Sequence, residues 1–324
     1  MFGMSGARAG GIAFGVFADV LLADPRRCHP VAGFGTAANA LERLSYRDSR
    51  IAGAVHTAVL LAAVGGGATL LSRAADRRGP WATAAVTAAA TWVSLGGTSL
   101  ARTGESMAEV LADGDIAAAR AILPSLCGRD PAYLDGPGLT RAALESIAEN
   151  TSDAQVAPLA WAAVGGAPGV LAYRVVNTLD AMIGNRSPRY DRFGWAAARL
   201  DDVANYLGAR VAGALVVLCA PLVGGSPVAA ATAWSRDAAE HPSPNAGVVE
   251  AAFAGALGVT LGGPTQYRHE LQIRPTLGDG TVPAVADLRR AVRLSRWVQL
   301  GAAAGVVAVV SAAGRSGRRA FPRR

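Results

Sequence analysis

The stretch IAGAVHTAVLLAAVGGGATLLS, residues 51–72, contains no Asp, Glu or Arg, and its reading decides the fold class. As a helix rising 1.5 Å per residue it is long enough to cross a hydrocarbon core of about 30 Å. Each charge at the centre of such a helix would cost about 2.5–3.5 kcal/mol on insertion, so long uncharged runs are not accidental. One run of this kind could be a buried helix of a soluble core. Runs 79–101, 211–235 and 297–314 repeat the pattern, and 154–173 is also free of charge. Together they predict an all-α fold, a multi-pass integral membrane helical bundle.

Composition agrees. Of 324 residues 51% are hydrophobic and only 17% are charged, against about 25% charged in soluble domains. The apolar share comes mainly from Ala, Val, Leu and Gly, which suits closely packed helices. Net charge is +7. The basic residues are spread over every polar segment and do not alternate with aromatics, so nucleic acid is excluded as a partner. All 31 basic residues are Arg. Any phosphate or carboxylate is therefore held by guanidinium, and a Walker A loop, which needs lysine, is ruled out. Cys28, Cys127 and Cys219 form no CxxC pair and read as small buried residues rather than disulfide or zinc ligands.

The first apolar run, 10–18 after Arg8, is interrupted by Asp19 and followed by Asp24-Pro25-Arg26-Arg27, a poor cleavage context, so an uncleaved helix is expected rather than a signal peptide. Two runs carry helix breakers: Gly165-Gly166-Ala167-Pro168-Gly169, and Pro221 with Gly224-Gly225-Ser226-Pro227. Both are expected to be broken, re-entrant or kinked helices. If both return to the side they entered from, segments 24–50, 102–153, 174–210 and 236–296 share one face and carry 22 of the 31 arginines. The positive-inside rule then makes that face cytosolic, although the Arg-rich tail (Arg315, Arg318, Arg319, Arg323, Arg324) runs against this version. The whole chain, 1–324, reads as one membrane domain with a polar helical segment, 102–153, inserted between apolar spans. Within that segment Met107, Val110 and Leu111, then Ile116, Ala119 and Leu123, recur at helical spacing around Asp113-Gly114.

The chemistry sits in the polar segments. In Arg141-Ala-Ala-Leu-Glu145-Ser-Ile-Ala-Glu149-Asn150-Thr-Ser-Asp153, helical steps of four put Arg141, Glu145 and Glu149 on one face, with Leu144, Ile147 and Ala148 on the packing side. With Asn150 and Asp153 the two glutamates can supply oxygen ligands for Mg²⁺; equally, they can form a solvated face with an Arg–Glu pair. A second stretch holds Asn177, Asp180, Arg186, Arg189, Tyr190, Arg192, Arg199, Asp201, Asp202 and Asn205. An interfacial loop explains its Arg and Tyr, but the amide and acidic groups point to an anion held by Arg with a divalent metal nearby. Proline-braced turns present His241 and Asn245 in one place and Asp24 and His29 in another. HExxH, GxSxG and clustered Cys/His ligands are absent.

In order, spacing and residue type these stretches resemble the CobD/CbiB family of cobalamin biosynthesis, the adenosylcobinamide-phosphate synthases. The resemblance runs from Asp19-Val-Leu-Leu-Ala-Asp-Pro25 to Gly262-Gly-Pro264 and the final span. It rests above all on Glu145-Ser-Ile-Ala-Glu-Asn-Thr-Ser-Asp153, Tyr173-Arg-Val-Val-Asn-Thr-Leu-Asp180, Arg186-Ser-Pro-Arg-Tyr190, Arg199-Leu-Asp-Asp202 and His241-Pro-Ser-Pro-Asn-Ala-Gly247. Ala23 and Ala154 stand where the family often has Gly, Asn185 where it often has an aromatic residue, and Gly208 where it often has Pro, which concerns local backbone shape. The resemblance implies an ATP-dependent carboxylate–amine ligase of the cell membrane, with its active-site loops in the cytoplasm. Its substrates would be adenosylcobyric acid and (R)-1-amino-2-propanol or its O-phosphate, and other cobalamin-pathway proteins could be partners. Glu145, Glu149, Asn150 and Asp153 are then expected to bind Mg²⁺ and ATP, and Arg186, Arg189 and Arg199 the phosphates. Asp180, Asp201 and Asp202 are expected to position metal or take the amine proton, and Asn177, His29, His241 and Asn245 to bind substrate. All are expected in one pocket. A transporter with broken helices, or a non-catalytic membrane sensor or scaffold, is the alternative; neither calls for the carboxylate and arginine sets together.

Overall fold

The computed structural model describes residues 4–25, 29–185, 187–266 and 271–320. Among them are twelve α-helices: α1 (Met4–Leu22), α2 (Pro30–Ser45), α3 (Arg50–Arg78), α4 (Pro80–Ser94), α5 (Gly97–Ala112), α6 (Ile116–Ile122), α7 (Gly136–Thr151), α8 (Ala157–Ile183), α9 (Trp195–Cys219), α10 (Pro227–Asp237), α11 (Ala246–Leu257) and α12 (Val285–Ala320). One antiparallel hairpin, β1 (Leu261–Gln266) with β2 (Leu271–Leu277), interrupts them. The chain is an all-α multi-pass membrane protein. Five helical stretches are long and apolar enough to cross a bilayer: Met4–Leu22, Arg50–Arg78, Gly136–Ile183, Trp195–Val223 and Val285–Ala313.

The chain divides into two compact units. The first comprises Met1–Gly96, Ala157–Ala204 and Ala303–Arg324, and the second Gly97–Val156 and Asn205–Ala302. In the first unit α1 packs tightly against α4. A β-carbon on Gly11 would lie 2.6 Å from the Ala84 carbonyl oxygen, and one on Gly15 would lie 2.6 Å from Thr91 Cβ. The Gly-x-x-x-Gly spacing thus removes two side chains where the backbones meet. A buried cluster of Ala38, Leu60, Val175, Leu179, Ile183, Phe193 and Ala197 ties α2, α3, α8 and α9 together. Phe193 also meets Tyr46 and His56, each with ring centroids 5.2 Å apart.

The uncharged run 154–173 breaks where its glycines predict. Gly166 adopts φ 59°, ψ −147° inside α8, and the chain bends so sharply that a β-carbon on Gly169 would lie 2.7 Å from the Trp161 carbonyl oxygen. The run 211–235 breaks at Gly224, which is left-handed at φ 69°. Its first part, however, continues a helix that began at Trp195, so α9 has 25 residues and is no half-helix. The run 79–101 is not one span. Helix α4 ends at Ser94 after 15 residues, Leu95 is extended, and α5 starts afresh at Gly97. At 1.5 Å per residue α4 covers only about 22 Å, and the Gly96-Gly97 pair is where the helix loses its support. The hairpin was not expected either; Gly262 and Gly263 at φ 82° and 78° shape its first strand. At Ala23, one of the departures from the family pattern, the backbone is left-handed at φ 54°. It is the only non-glycine residue with positive φ among those described, and the Trp92 indole nitrogen donates to its carbonyl at 3.1 Å.

In the second unit α7 and α11 are buried on nearly every side. Asp135 caps α7 by accepting from the Gly138 amide at 2.8 Å, with Pro137 in the first turn. A π-helical turn, Ser152–Val156, comes directly after α7. Beside it Thr151 Oγ1 and Gln155 Nε2 both donate to Ser295 Oγ of α12, at 2.7 and 2.8 Å.

Candidate functional site

In the second unit, burial turns the acidic face of α7 into a charge cluster. Glu145 is 2% exposed, and its carboxylate forms an ion pair with Arg129, itself 7% exposed. Its other oxygen accepts from the Gly262 amide of β1 at 2.7 Å. Arg141, one turn back, lies 4.0 Å from Glu145 and donates to the Pro264 carbonyl. Both Glu145 oxygens therefore have partners, and a solvated helix face is not what this stretch forms. Glu149, one turn on, is exposed, within electrostatic reach of Arg129 and of Arg274 on β2. Asn150 donates to the Ser146 carbonyl at 2.9 Å. Asp153 is half-buried in the π-turn, a distortion often found at functional sites.

Glu250 and His241 close the other side of this cluster. Glu250 is the one charged residue of the otherwise apolar α11 and is 1% exposed. Burial, reinforced by Glu145 and Glu149, pushes its carboxyl well above the usual range. The His241 Nε2 lies 3.9 Å from Glu250 Oε1, and burial lowers the imidazole's affinity for a proton. Asn245 accepts from Arg210 at 2.7 Å. Asp237 is gripped by Arg236 at 2.5 and 2.9 Å and accepts from the Gly278 amide at 2.7 Å, so this pair fastens α10 to the end of the hairpin. Arg236 with the Gly278 amide holds the Asp237 carboxyl below its ordinary value, against the effect of burial.

The remaining predicted residues lie in the first unit. Asn177, on α8, donates to Asp201 of α9 at 3.4 Å and accepts from Arg174 at 3.2 Å. Asp180 is one turn further along α8, and Arg199 pairs with Asp202 at 3.0 Å. Arg189 is held by Glu42 of α2 at 2.8 Å, with Tyr190 also donating to that carboxylate at 3.1 Å. The Arg189 guanidinium stacks 4.1 Å from the Tyr46 ring. His29 caps α2: its Nδ1 accepts from the Val31 amide, which leaves Nε2–H for Asp24 at 3.2 Å. Arg186 and Cys28 lie outside the described residues; Cys127 and Cys219 are free thiols.

The carboxylates and arginines thus form two sets, one in each unit. Four participants were not expected: Arg129, Glu250, Arg274 and Glu42. Glu250 left a signal, a lone carboxylate in an uncharged helical run. The other three are single charges whose partners lie far away in sequence. Among the described residues no three His, Cys, Asp or Glu side chains are arranged to enclose a metal. The donor chemistry still fits Mg²⁺ of a particular kind. Mg²⁺ commonly binds through one or two carboxylates together with water and substrate phosphates. Glu149 is such a carboxylate, exposed at the end of α7, whereas both oxygens of Glu145 are engaged.

A model of the CobD/CbiB proteins matches residues 12–295, most of the chain. The chain belongs to the CobD/CbiB family. Relatives in the family include proteins described as cobalamin biosynthesis protein CobD. That of Mycobacterium tuberculosis H37Rv is 66% identical over 303 residues, 94% of this chain and 96% of the relative. That of Geobacter metallireducens is 43% identical over 287 residues, 86% and 89% of the two chains. That of Chromobacterium violaceum is 41% identical over 302 residues, 90% and 94%. No solved structure matches the chain. The family match spans both charge sets and all of α7 and α11.

Proposed function

We propose that this protein catalyses the amide-forming step of cobalamin biosynthesis. It would join (R)-1-amino-2-propanol or its O-phosphate to a carboxylate of adenosylcobyric acid, using ATP and Mg²⁺, at the cytoplasmic side of the cell membrane. The supporting observation is Glu149, an exposed carboxylate at the end of a largely buried helix, one turn from the Glu145–Arg129 pair. Packing does not require a charge there, and the carboxylate is within reach of a bound cation.

A carboxylate is a poor acyl donor. In the proposed reaction a carboxylate oxygen attacks the terminal phosphorus of ATP, giving an acyl phosphate and ADP. The amine nitrogen then attacks the carbonyl carbon, the carbon–oxygen bond to phosphate breaks, and phosphate leaves with that electron pair. The proton shed by the amine passes to a carboxylate. Mg²⁺ would supply charge neutralisation for the transferred phosphoryl group. The Glu145–Arg129 pair fixes the register of α7, so that Glu149 and Asp153 are set toward a nucleotide-borne cation. Arg274 of β2, half-buried and within electrostatic reach of Glu149, is proposed to add positive charge where phosphate charge develops. His241 and Asn245, both buried, are proposed to present uncharged polar groups to the substrate. In the first unit, Asp180, Asp201 and Asp202 with Asn177, His29 and Arg199 are proposed to bind amine or phosphate groups at that unit's own charge set. Arg189, tied to Glu42, would act on a phosphate only by sharing that bond.

The test is to incubate purified protein with adenosylcobyric acid, aminopropanol phosphate and ATP–Mg²⁺, and to read the product by mass. Glu149→Gln should abolish product while leaving membrane insertion and unfolding temperature near those of the parent. Full activity in that variant would remove Glu149 from the chemistry.

A further inference from the structure

A cavity of about 280 Å³ in the first unit belongs to neither charge set. It is walled by Arg8 of α1, Ser72, Arg73 and Asp76 of α3, Thr83 of α4, and the break in α8 at Gly166. Asp76 accepts from the Thr83 hydroxyl at 2.8 Å and lies 3.8 Å from Arg8, too far for a direct hydrogen bond. The Arg8 guanidinium reaches to within 3.9 Å of the point where a Gly166 β-carbon would stand. The cavity lies at the far end of α3 from Gly53, the point at which that helix meets Phe193. It is thus at the opposite end of this unit from the Arg189–Glu42 bond.

Three properties say what it would hold. Its volume falls below the roughly 300–1,000 Å³ of pockets for drug-sized ligands, which excludes a corrinoid. Its level is that of lipid headgroups. Helix α3 has 29 residues, about 43 Å at 1.5 Å each, so its last turns overrun a 30 Å hydrocarbon core. Arg77 and Arg78 are exposed there, and Trp81 is 81% exposed, as at a membrane interface. Its charges are mixed. Two guanidinium groups suit a phosphate, but a purely anionic group would also meet the Asp76 carboxylate. An ammonium beside the phosphate turns that repulsion into attraction.

We propose that this cavity binds an amino-alkyl phosphate, the chemistry of a phosphatidylethanolamine headgroup, with Arg8 and Arg73 on the phosphate and Asp76 on the ammonium. The cavity shares no residue with the proposed ligase site, and although aminopropanol phosphate has the same ligand chemistry, Arg73→Gln touches only the cavity and so separates the two. Full-length protein would be placed in phosphatidylcholine nanodiscs doped with phosphatidylethanolamine or phosphatidylglycerol, and its thermal midpoint followed alongside lipid retention in native mass spectrometry. Phosphatidylethanolamine should raise the midpoint by several degrees and be retained in preference to phosphatidylglycerol. Arg73→Gln, at an exposed position, and Asp76→Asn should each erase the preference. Soluble O-phosphoethanolamine added to undoped discs separates the sources. A matching shift would assign the same chemistry to a soluble ligand, and no shift would assign it to the lipid. Equal or greater stabilisation by phosphatidylglycerol, or a preference unchanged in Arg73→Gln, would overturn the proposal even if Asp76→Asn failed to fold.

Discussion

Glu145 and Glu149 are one helical turn apart and chemically identical, yet the fold gives them different work. Glu145 is enclosed, paired with Arg129 and fixed by a backbone amide; removing one partner of such a buried pair typically costs about 3–5 kcal/mol. Glu149 is exposed at the surface of α7 and is the proposed cation ligand. Ala23 shows the opposite economy. Its left-handed backbone, φ 54°, imposes about 1–2 kcal/mol on any residue with a β-carbon. Ala23→Gly should therefore stabilise the protein by about 1 kcal/mol, less the backbone entropy glycine adds to the unfolded chain. Thermal unfolding in detergent reads this directly, and an unchanged or lower midpoint would show that the strain is relieved elsewhere.

At the scale of elements, close approach and breakage are both set by glycine. Between α1 and α4 the missing β-carbons at Gly11 and Gly15 let two backbones touch. Gly15→Leu would drive a side chain into Thr91 and the Ala88 carbonyl and should cost about 1–3 kcal/mol. A variant as stable as the parent would mean that the two helices can slide apart without penalty. In α8 the glycine at position 166 kinks the chain instead, and the helix resumes at once toward Asn177 and Asp180. The break thus delivers polar residues to α8 without exposing a long irregular loop to lipid. Helix α11 is the complement: an apolar cylinder, buried on all sides, that carries Glu250 into the charge cluster.

For the molecule as a whole, two compact units are each assembled from segments distant in sequence. The proposed topology puts segments 102–153 and 174–210 on the same, cytosolic side. Reporter fusions inserted in each should give cytosolic signals from both. A cytosolic signal from one and a periplasmic signal from the other would refute the shared face and, with it, the placement of the active-site loops. Helix α9, long enough to cross with residues 195–223, is the element on which the orientation of the later segments turns, because a complete crossing there would put 174–194 and 224–284 on opposite sides.

The membrane class, the family, the break near Gly166 and the carboxylates of α7 are legible in the residues alone, because uncharged length, helix breakers and i, i+4 spacing are local quantities. The run 79–101 reads as one span and is not, since an uncharged run does not reveal that a Gly pair ends a helix partway. Which acids are buried and which are exposed follows from the packing of the folded chain. The partners of Glu145 and Arg189 are Arg129 with the Gly262 amide, and Glu42. A charge's partner depends on which distant segment packs against it, and burial, which sets the worth of that pairing, is a property of the packed whole.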